Sequence, residues 1–195
     1  MKVIILNRKR IGVTIIIIGL MLVLAGAEIK LNQRLRMTVL MQNGLDSLKQ
    51  YEIKNSTITY KLPDIWETTE KNFGGNEITY HNEFSSSDNT IYGYVEVWNL
   101  RQKDLQTFLE NSKTSAFNPE RVKNFKYVPV KLNSYPGYLA TYTGSTASGK
   151  YFRAYEYFVE NGSTFFRMAF YVPADKFKEN MPAIFESIAG TYARK

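Results

Sequence analysis

The side chains of this 195-residue chain that could do chemistry are few, and the types it lacks narrow the choice. It has no cysteine, which removes disulfides, thiol nucleophiles and thiolate metal sites together. His81 is the single histidine. Glu77, His81 and Glu83 fall on alternate positions and would share one face of a strand, with Glu96 on the next strand as a fourth donor. Imidazole with carboxylates suits a divalent cation, so Glu77, His81, Glu83 and Glu96 are the candidate metal ligands. The competing account is an exposed polar sheet face. Ser85–Ser87 read as turn residues, not as partners for His81 in a hydrolase.

Gly144-Ser145-Thr146-Ala147-Ser148-Gly149-Lys150 fits G-x-x-x-x-G-K, the pattern of a phosphate-binding loop. The residue after the lysine is Tyr151, where magnesium would need a Ser or Thr hydroxyl, and the following residues alternate like a strand. A helix N-terminus should cradle the phosphate there. A hairpin loop is therefore expected, without nucleotide. Glu156 and Arg167 could be a buried acid and its partner, but a structural ion pair is the expectation. No set of residues amounts to a catalytic apparatus, so neither an enzyme nor a cofactor is expected.

Where these side chains work is set by Ile11–Ala27, an apolar run in which Thr14 is the only polar side chain. As a helix, its 17 residues would extend roughly 25 Å, marginal for a hydrocarbon core of about 30 Å. Lys2, Arg8, Lys9 and Arg10 precede it and no acid comes before Glu28, so residues 1–10 are expected in the cytoplasm and the chain after the run outside. Two readings stay open. The run is a single-pass anchor in the cell membrane, or a signal segment cleaved at Ala27, since Ala25-Gly26-Ala27 has the small-x-small form of a cleavage site and would leave a secreted protein.

The formal net charge is +7, but four of those charges lie in the leading segment, leaving +3 for residues 28–195. That is too weak and too interspersed with acids for a nucleic-acid surface. The 168 residues after Ala27 suit one domain, whose core must be aromatic given 14 Tyr and 12 Phe.

Residues 28–50 carry Leu31, Leu35, Met41, Leu45 and Leu48 at helical spacing and read as a linker helix whose apolar stripe packs on the domain or lies along the membrane surface, with self-association as a short coiled coil the alternative. The domain at 51–195 then begins with strands at 51–54 and 57–62. Residues 68–76 read as a loop, 77–84 and 90–98 as strands, and 102–113 as a short amphipathic helix. After a loop at 115–121 come strands at 122–132 and 138–143. Asn161-Gly162 then joins strands 150–160 and 163–172 in a hairpin. With those two residues as the turn, Glu156 opposes Arg167 and Phe158 opposes Phe165. A C-terminal helix follows, kinked or restarted at Pro182 and closed by Gly190.

Tyr60-Lys61-Leu62-Pro63-Asp64-Ile65-Trp66, a hairpin, the helix with Leu105-Gln106-Thr107-Phe108-Leu109, further strands with Tyr155-Glu156-Tyr157, and a last helix ending Phe185-Glu186-Ser187-Ile188 together resemble the PsbP-like family over about 51–192. The resemblance implies an α+β fold, an antiparallel β-sheet flanked by helices, shared with DcrB-type envelope proteins and a Ran-binding nuclear import factor. It also implies a split in roles: photosystem II subunits that help retain calcium and chloride in some members, and envelope or binding proteins in others. Nothing here matches a residue set for the photosystem role. The expectation is a non-catalytic domain of the bacterial cell envelope, tethered to the membrane and binding a protein or envelope component through the rim at 77–83 or the loop at 143–150. An enzyme acting on an envelope polymer is the alternative, and would need two convergent carboxylates.

Overall fold

The computed structural model describes residues 8–54, 56–100, 104–111 and 121–195, and within the first helix the side chains of all but 8–13, 25, 28–30, 32 and 33. The expectations for residues 1–7, for the helix margins at 102–103 and 112–113 and for the loop at 115–120 fall outside the described residues.

Helix α1 runs without a break from Arg8 to Gln42. Among the described residues no helix is long and apolar enough to cross a membrane. The described side chains of the apolar run are those of 14–24, 26 and 27. Gly44, at φ +69°, then turns the chain, and strand β1 (Leu48–Glu52) begins where the helical reading to residue 50 had it continue. The face of α1 that docks also differs from the expected stripe. Leu40 is buried and Val39 half-buried, whereas Leu31, Leu35 and Met41 are exposed. The stripe was read by apolarity alone, and the docked face is fixed instead by Arg36, which reaches the end of the last helix.

Among the described residues, ten strands form two antiparallel sheets. β1 and β10 (Ala193–Arg194) flank β2 (Ile58–Pro63) in the smaller one. The larger has seven strands in the order β3-β4-β5-β9-β8-β7-β6, with β3 at Glu67–Lys71, β4 at Ile78–Ser85, β5 at Tyr92–Asn99 and β6 at Val122–Leu132. β7 covers Tyr135–Ser145, β8 Tyr151–Asn161 and β9 Thr164–Pro173. β3 corrects the loop expected at 68–76. Its polar sequence Glu-Thr-Thr-Glu-Lys hid it because it is an edge strand, whose exposed side chains need no apolar alternation. Helix α2 spans Leu105–Asn111 and α3 spans Met181–Ala189. Pro182 sits in the first turn of α3, where its missing N–H costs no hydrogen bond, so it starts that helix instead of kinking one.

One face of the large sheet carries Val95, Val97, Phe166, Met168, Phe170, Tyr157 and Val159 into the main core, beneath α3, the docked end of α1 and the small sheet. There Phe170 stacks on Phe185 at 4.6 Å, and both are fully buried. Burying such a ring stabilises by about 1.5–3 kcal/mol. The opposite face is covered in part by α2, through Leu105 and Leu109 against Ala140, Phe158 and Phe165.

The β8–β9 turn is Gly162-Ser163, not Asn161-Gly162: Asn161 pairs with Thr164, and Gly162 holds φ +62° while no positive φ occurs at Asn161 or Ser163. This is the pattern of a two-residue turn with glycine in its first central position. The register therefore shifts by two residues. Glu156 opposes Ala169, and Arg167 opposes Phe158. Because the shift is even, every side chain keeps the face it was assigned.

Candidate functional site

On the face shared with α2, beyond that helix, strand alternation places His81 and Glu83 from β4, Tyr94, Glu96 and Trp98 from β5, Arg167 and Tyr171 from β9, Glu156 from β8 and Tyr142 from β7. Pairing brings His81 beside Glu96 and Glu96 beside Arg167. Arg167 Nη1 donates to Glu96 Oε2 at 3.3 Å. Its Nε and Nη2 reach diagonally to Glu156 Oε2, at 3.1 and 2.8 Å. The acid–base pair read from the sequence is thus present, but it is diagonal and three-membered. It is also buried: Glu156 is 2% exposed and Glu96 5%.

Tyrosine hydroxyls complete the cluster. Tyr142 and Tyr171 each donate to Glu156 Oε1 at 2.7 Å, and the Tyr94 and Tyr171 hydroxyls are 2.8 Å apart. Trp98 Nε1 donates to Glu96 Oε2 at 2.7 Å, and His81 Nδ1 lies 2.8 Å from Glu96 Oε1. The guanidinium of Arg167 lies over the ring of Tyr94, 4.9 Å from its centroid. His81 stacks on the same ring at 5.4 Å and meets Phe73 edge-on. Burial pushes the hydroxyls of Tyr94, Tyr142 and Tyr171 well above the usual tyrosine range, and the negative charge of Glu156 adds to it. They therefore remain neutral donors. Burial works against the charge on Arg167, but Glu156, the tyrosines and Glu96 outweigh it and hold the guanidinium firmly protonated.

Both carboxylates are held by their neighbours. Glu156 accepts four hydrogen bonds, about as many as its lone-pair sites allow. Glu96 accepts from Arg167 and Trp98 on one oxygen and faces His81 with the other. A general acid or base must have an oxygen to offer a substrate. Glu156 has none without dismantling the cluster, and the only less committed oxygen of Glu96 is the one that faces His81.

Of the four candidate metal ligands, the fold brings three together. His81 sits between Glu96 and Glu83, with Nε2 3.4 Å from Glu83 Oε1. Glu83 also pairs with Lys71 at 2.6 Å, which, with His81, holds its carboxyl below the ordinary range. Glu77 is exposed just before β4, outside this cluster. Among the described residues no group of three or more His, Asp or Glu is arranged to hold a metal ion. His81 is 5% exposed, while Glu83 beside it stands at the rim with its side chain 43% exposed.

The Gly144–Lys150 stretch is the hairpin loop between β7 and β8. Thr146 accepts from Gly149 N at 3.0 Å, and Gly149 has φ +78°. Strand follows the lysine, as expected for a turn and not for a phosphate cradle.

Sequence reasoning did not find Tyr94, Trp98, Tyr142 or Tyr171. The available signal was Tyr92-x-Tyr94-x-Glu96-x-Trp98, a period-two row of polar-tipped aromatics around an acid. Above the cluster the rim is aromatic. Tyr92, 39% exposed, stacks on Tyr171 at 5.6 Å, beside a shallow cleft of about 470 Å³ edged by Glu67, Thr69 and Glu83.

Solved structures share this arrangement of strands and helices. The cyanobacterial PsbP protein of Synechocystis superposes with a TM-score of 0.55 at 10% identity, over 76% of this chain and 93% of that one. The domain has the PsbP-like fold. A mutant of the protein Mog1 matches at TM-score 0.51 and 9% identity, over 76% and 96% of the two chains. A structure from Bacteroides thetaiotaomicron matches at 0.51 and 13%, over 75% of this chain and 48% of its own. No family model and no curated protein sequence matches. At such identities the likeness shows the fold alone, and the roles of the His81–Glu96–Arg167–Glu156 cluster rest on this chain's own geometry.

Proposed function

We propose that the chain is a non-catalytic binding or scaffold domain of the bacterial cell envelope, tethered to the membrane by its N-terminal helix and facing away from the cytoplasm. The observation that supports the non-catalytic part is the engagement of Glu156 by four hydrogen bonds from Arg167, Tyr142 and Tyr171. Such a cluster rigidifies the sheet and leaves the aromatic rim above it as the contact surface. Exposed tyrosines beside carboxylates suit a polar partner with apolar patches, as found at the centre of protein interfaces.

The tether rests on the apolar run with basic residues before it, and on the unbroken course of α1 from that run into the domain. The test is crosslinking from native membranes with a photoreactive group at position 67, on the edge of the cleft beside Tyr92. A specific crosslinked partner, lost on Tyr92→Ala, is expected. Release of soluble fragments from purified cell-wall polymer by the full chain would overturn the non-catalytic reading in favour of an envelope-polymer enzyme. Recovery of the mature protein beginning at Glu28 would replace the tether by a cleaved signal.

A further inference from the structure

A cleft of about 750 Å³ opens on the other face of the large sheet, between α1, α3 and the β6–β7 hairpin. Leu35 and Val39 of α1 form its wall, and Val130 and Leu139 of the sheet its floor. Its volume lies inside the roughly 300–1,000 Å³ of small-molecule sites. Tyr157, also in the floor, is 3% exposed, yet no described residue hydrogen-bonds its hydroxyl. Tyr60, Tyr80, Tyr142 and Tyr192, the other buried tyrosines among the described residues, all have hydroxyl partners. No fully enclosed side-chain polar atom among the described residues is left without a partner, so the Tyr157 oxygen reaches the cleft.

That hydroxyl is a donor in need of an acceptor. Burial raises its pKa, Glu186 and Tyr155 add to the rise and Arg36 opposes it, so the proton stays on the oxygen. Glu186 acts on the hydroxyl more strongly than Arg36, whose Nη1 is committed to the Gly190 carbonyl. Lys131 edges the cleft, but strand alternation sends its side chain to the α2 face with Tyr127, and it is not among the charges acting on the hydroxyl. An anionic acceptor would be repelled by Glu186. An ammonium group has no lone pair with which to accept the proton. The acceptor that fits is an uncharged oxygen, carried by a ligand whose remainder suits aliphatic walls.

The wall continues a feature of α1. Leu20, Leu24, Leu31, Leu35 and Val39 follow one another at steps of four, seven, four and four residues, which keeps them on one face of the helix. The four leucines are exposed. An apolar stripe therefore leads from the run at 11–27 into the cleft. Leu35 stands eight residues past Ala27, roughly 12 Å along the helix.

We propose that this cleft takes an uncharged acyl ester of the monoacylglycerol type from the bilayer, its chain along Leu35, Val39, Val130 and Leu139 and its ester carbonyl accepting from the Tyr157 hydroxyl. The bilayer as the source rests on the membrane tether proposed above. The site is separate from the tyrosine rim and lies on the opposite face of the sheet.

The test titrates the full chain, held in phosphatidylcholine vesicles, with monododecanoylglycerol carrying carbon-13 at its carbonyl, read by NMR. Saturable binding is expected, with a bound carbonyl resonance distinct from that of the ester dissolved in the bilayer. Tyr157→Phe should weaken it about fivefold, the loss of one hydrogen bond. Ionised dodecanoate should compete poorly against the wild type and several-fold better against Glu186→Gln, in which the repelling charge is gone. Ala183→Trp puts a ring at the cleft mouth from an exposed helix position, and Ser134→Trp does so from the opposite lip. Each should weaken binding about tenfold or more, so a folding defect in one of them does not decide the matter. Uptake that never saturates and is equal in the wild type and both blocking variants overturns the proposal, as does tighter binding of dodecanoate than of the ester. Alkaline extraction of membranes reads the tether by itself. A chain that resists extraction but binds no ester sinks the cleft site alone, whereas one that is extracted and still saturates with ester overturns the tether and upholds the cleft site.

Discussion

Arg36, near the end of α1, donates from Nη1 to the carbonyl oxygen of Gly190 at the end of α3, 3.0 Å away and 154 residues later in the chain. The guanidinium lies where a side chain at 190 would begin, so an added Cβ must push that flexible side chain aside. The φ of Gly190, −66°, suits any residue. Gly190→Ala should therefore destabilise by no more than the loss of Arg36's contact, and Arg36→Ala by about 1 kcal/mol. In the Arg36→Ala background Gly190→Ala should cost almost nothing, a coupling that denaturant melts of the four proteins will measure.

The Arg167 cluster predicts unequal costs for its members. Arg167→Met leaves Glu96 and Glu156 buried without their cation, and should cost about 3–5 kcal/mol. Glu156→Gln keeps an acceptor for the tyrosines and leaves Arg167 its bond to Glu96, and should cost about 1–3 kcal/mol. Urea midpoints compare them directly. Equal, small losses would mean that the cluster is not held as described.

The buried tyrosines fix the alkaline limit of stability. In the unfolded chain their hydroxyls ionise near pH 10, while the fold holds those of Tyr60, Tyr94, Tyr142, Tyr157 and Tyr171 higher, with burial the leading cause in each. Their contribution is complete below about pH 10 and falls as pH rises above it, because only the unfolded state then loses the protons. The melting temperature should drop steeply above pH 10. Tyrosinate absorbance should appear in two steps, exposed tyrosines first and the buried set together with unfolding.

The β8–β9 turn is tested by two substitutions. Gly162 alone holds a positive φ there, so Gly162→Ala should cost about 1 kcal/mol and Asn161→Ala distinctly less. Thermal melts in which Asn161→Ala is the costlier would favour the slipped pairing.

That turn shows what could be read from the sequence and what could not. The faces of β8 and β9 follow from alternation, and alternation survives an even slip. The partners across the pair do not, because Asn161-Gly162 and Gly162-Ser163 are both acceptable turn pairs and differ only in which residue takes the positive φ. His81 and Glu96 were legible as neighbours, since adjacent strands joined by a short turn fix their pairing. Their burial was not, because it comes from Tyr94 and Phe73, whose rings reach His81 only once the sheet is assembled. Glu77 looked equivalent to His81 by spacing, but it lies before β4 begins. Spacing gives a face, not the strand's end. β3 escaped because an edge strand has no buried row to announce it.

The clasp at the two ends of the domain has a consequence for how the protein is made. Arg36 finds its acceptor at Gly190, Thr59 and Ile58 pair with Ala193 and Arg194, and Thr57 accepts from the amide of Lys195. The first helix of the domain thus waits for residues 190–195. Contacts of such long separation close late and slowly, so those residues must leave the ribosome before the first helix can dock. Until then the core strands have only transient cover, the state in which aggregation competes with folding.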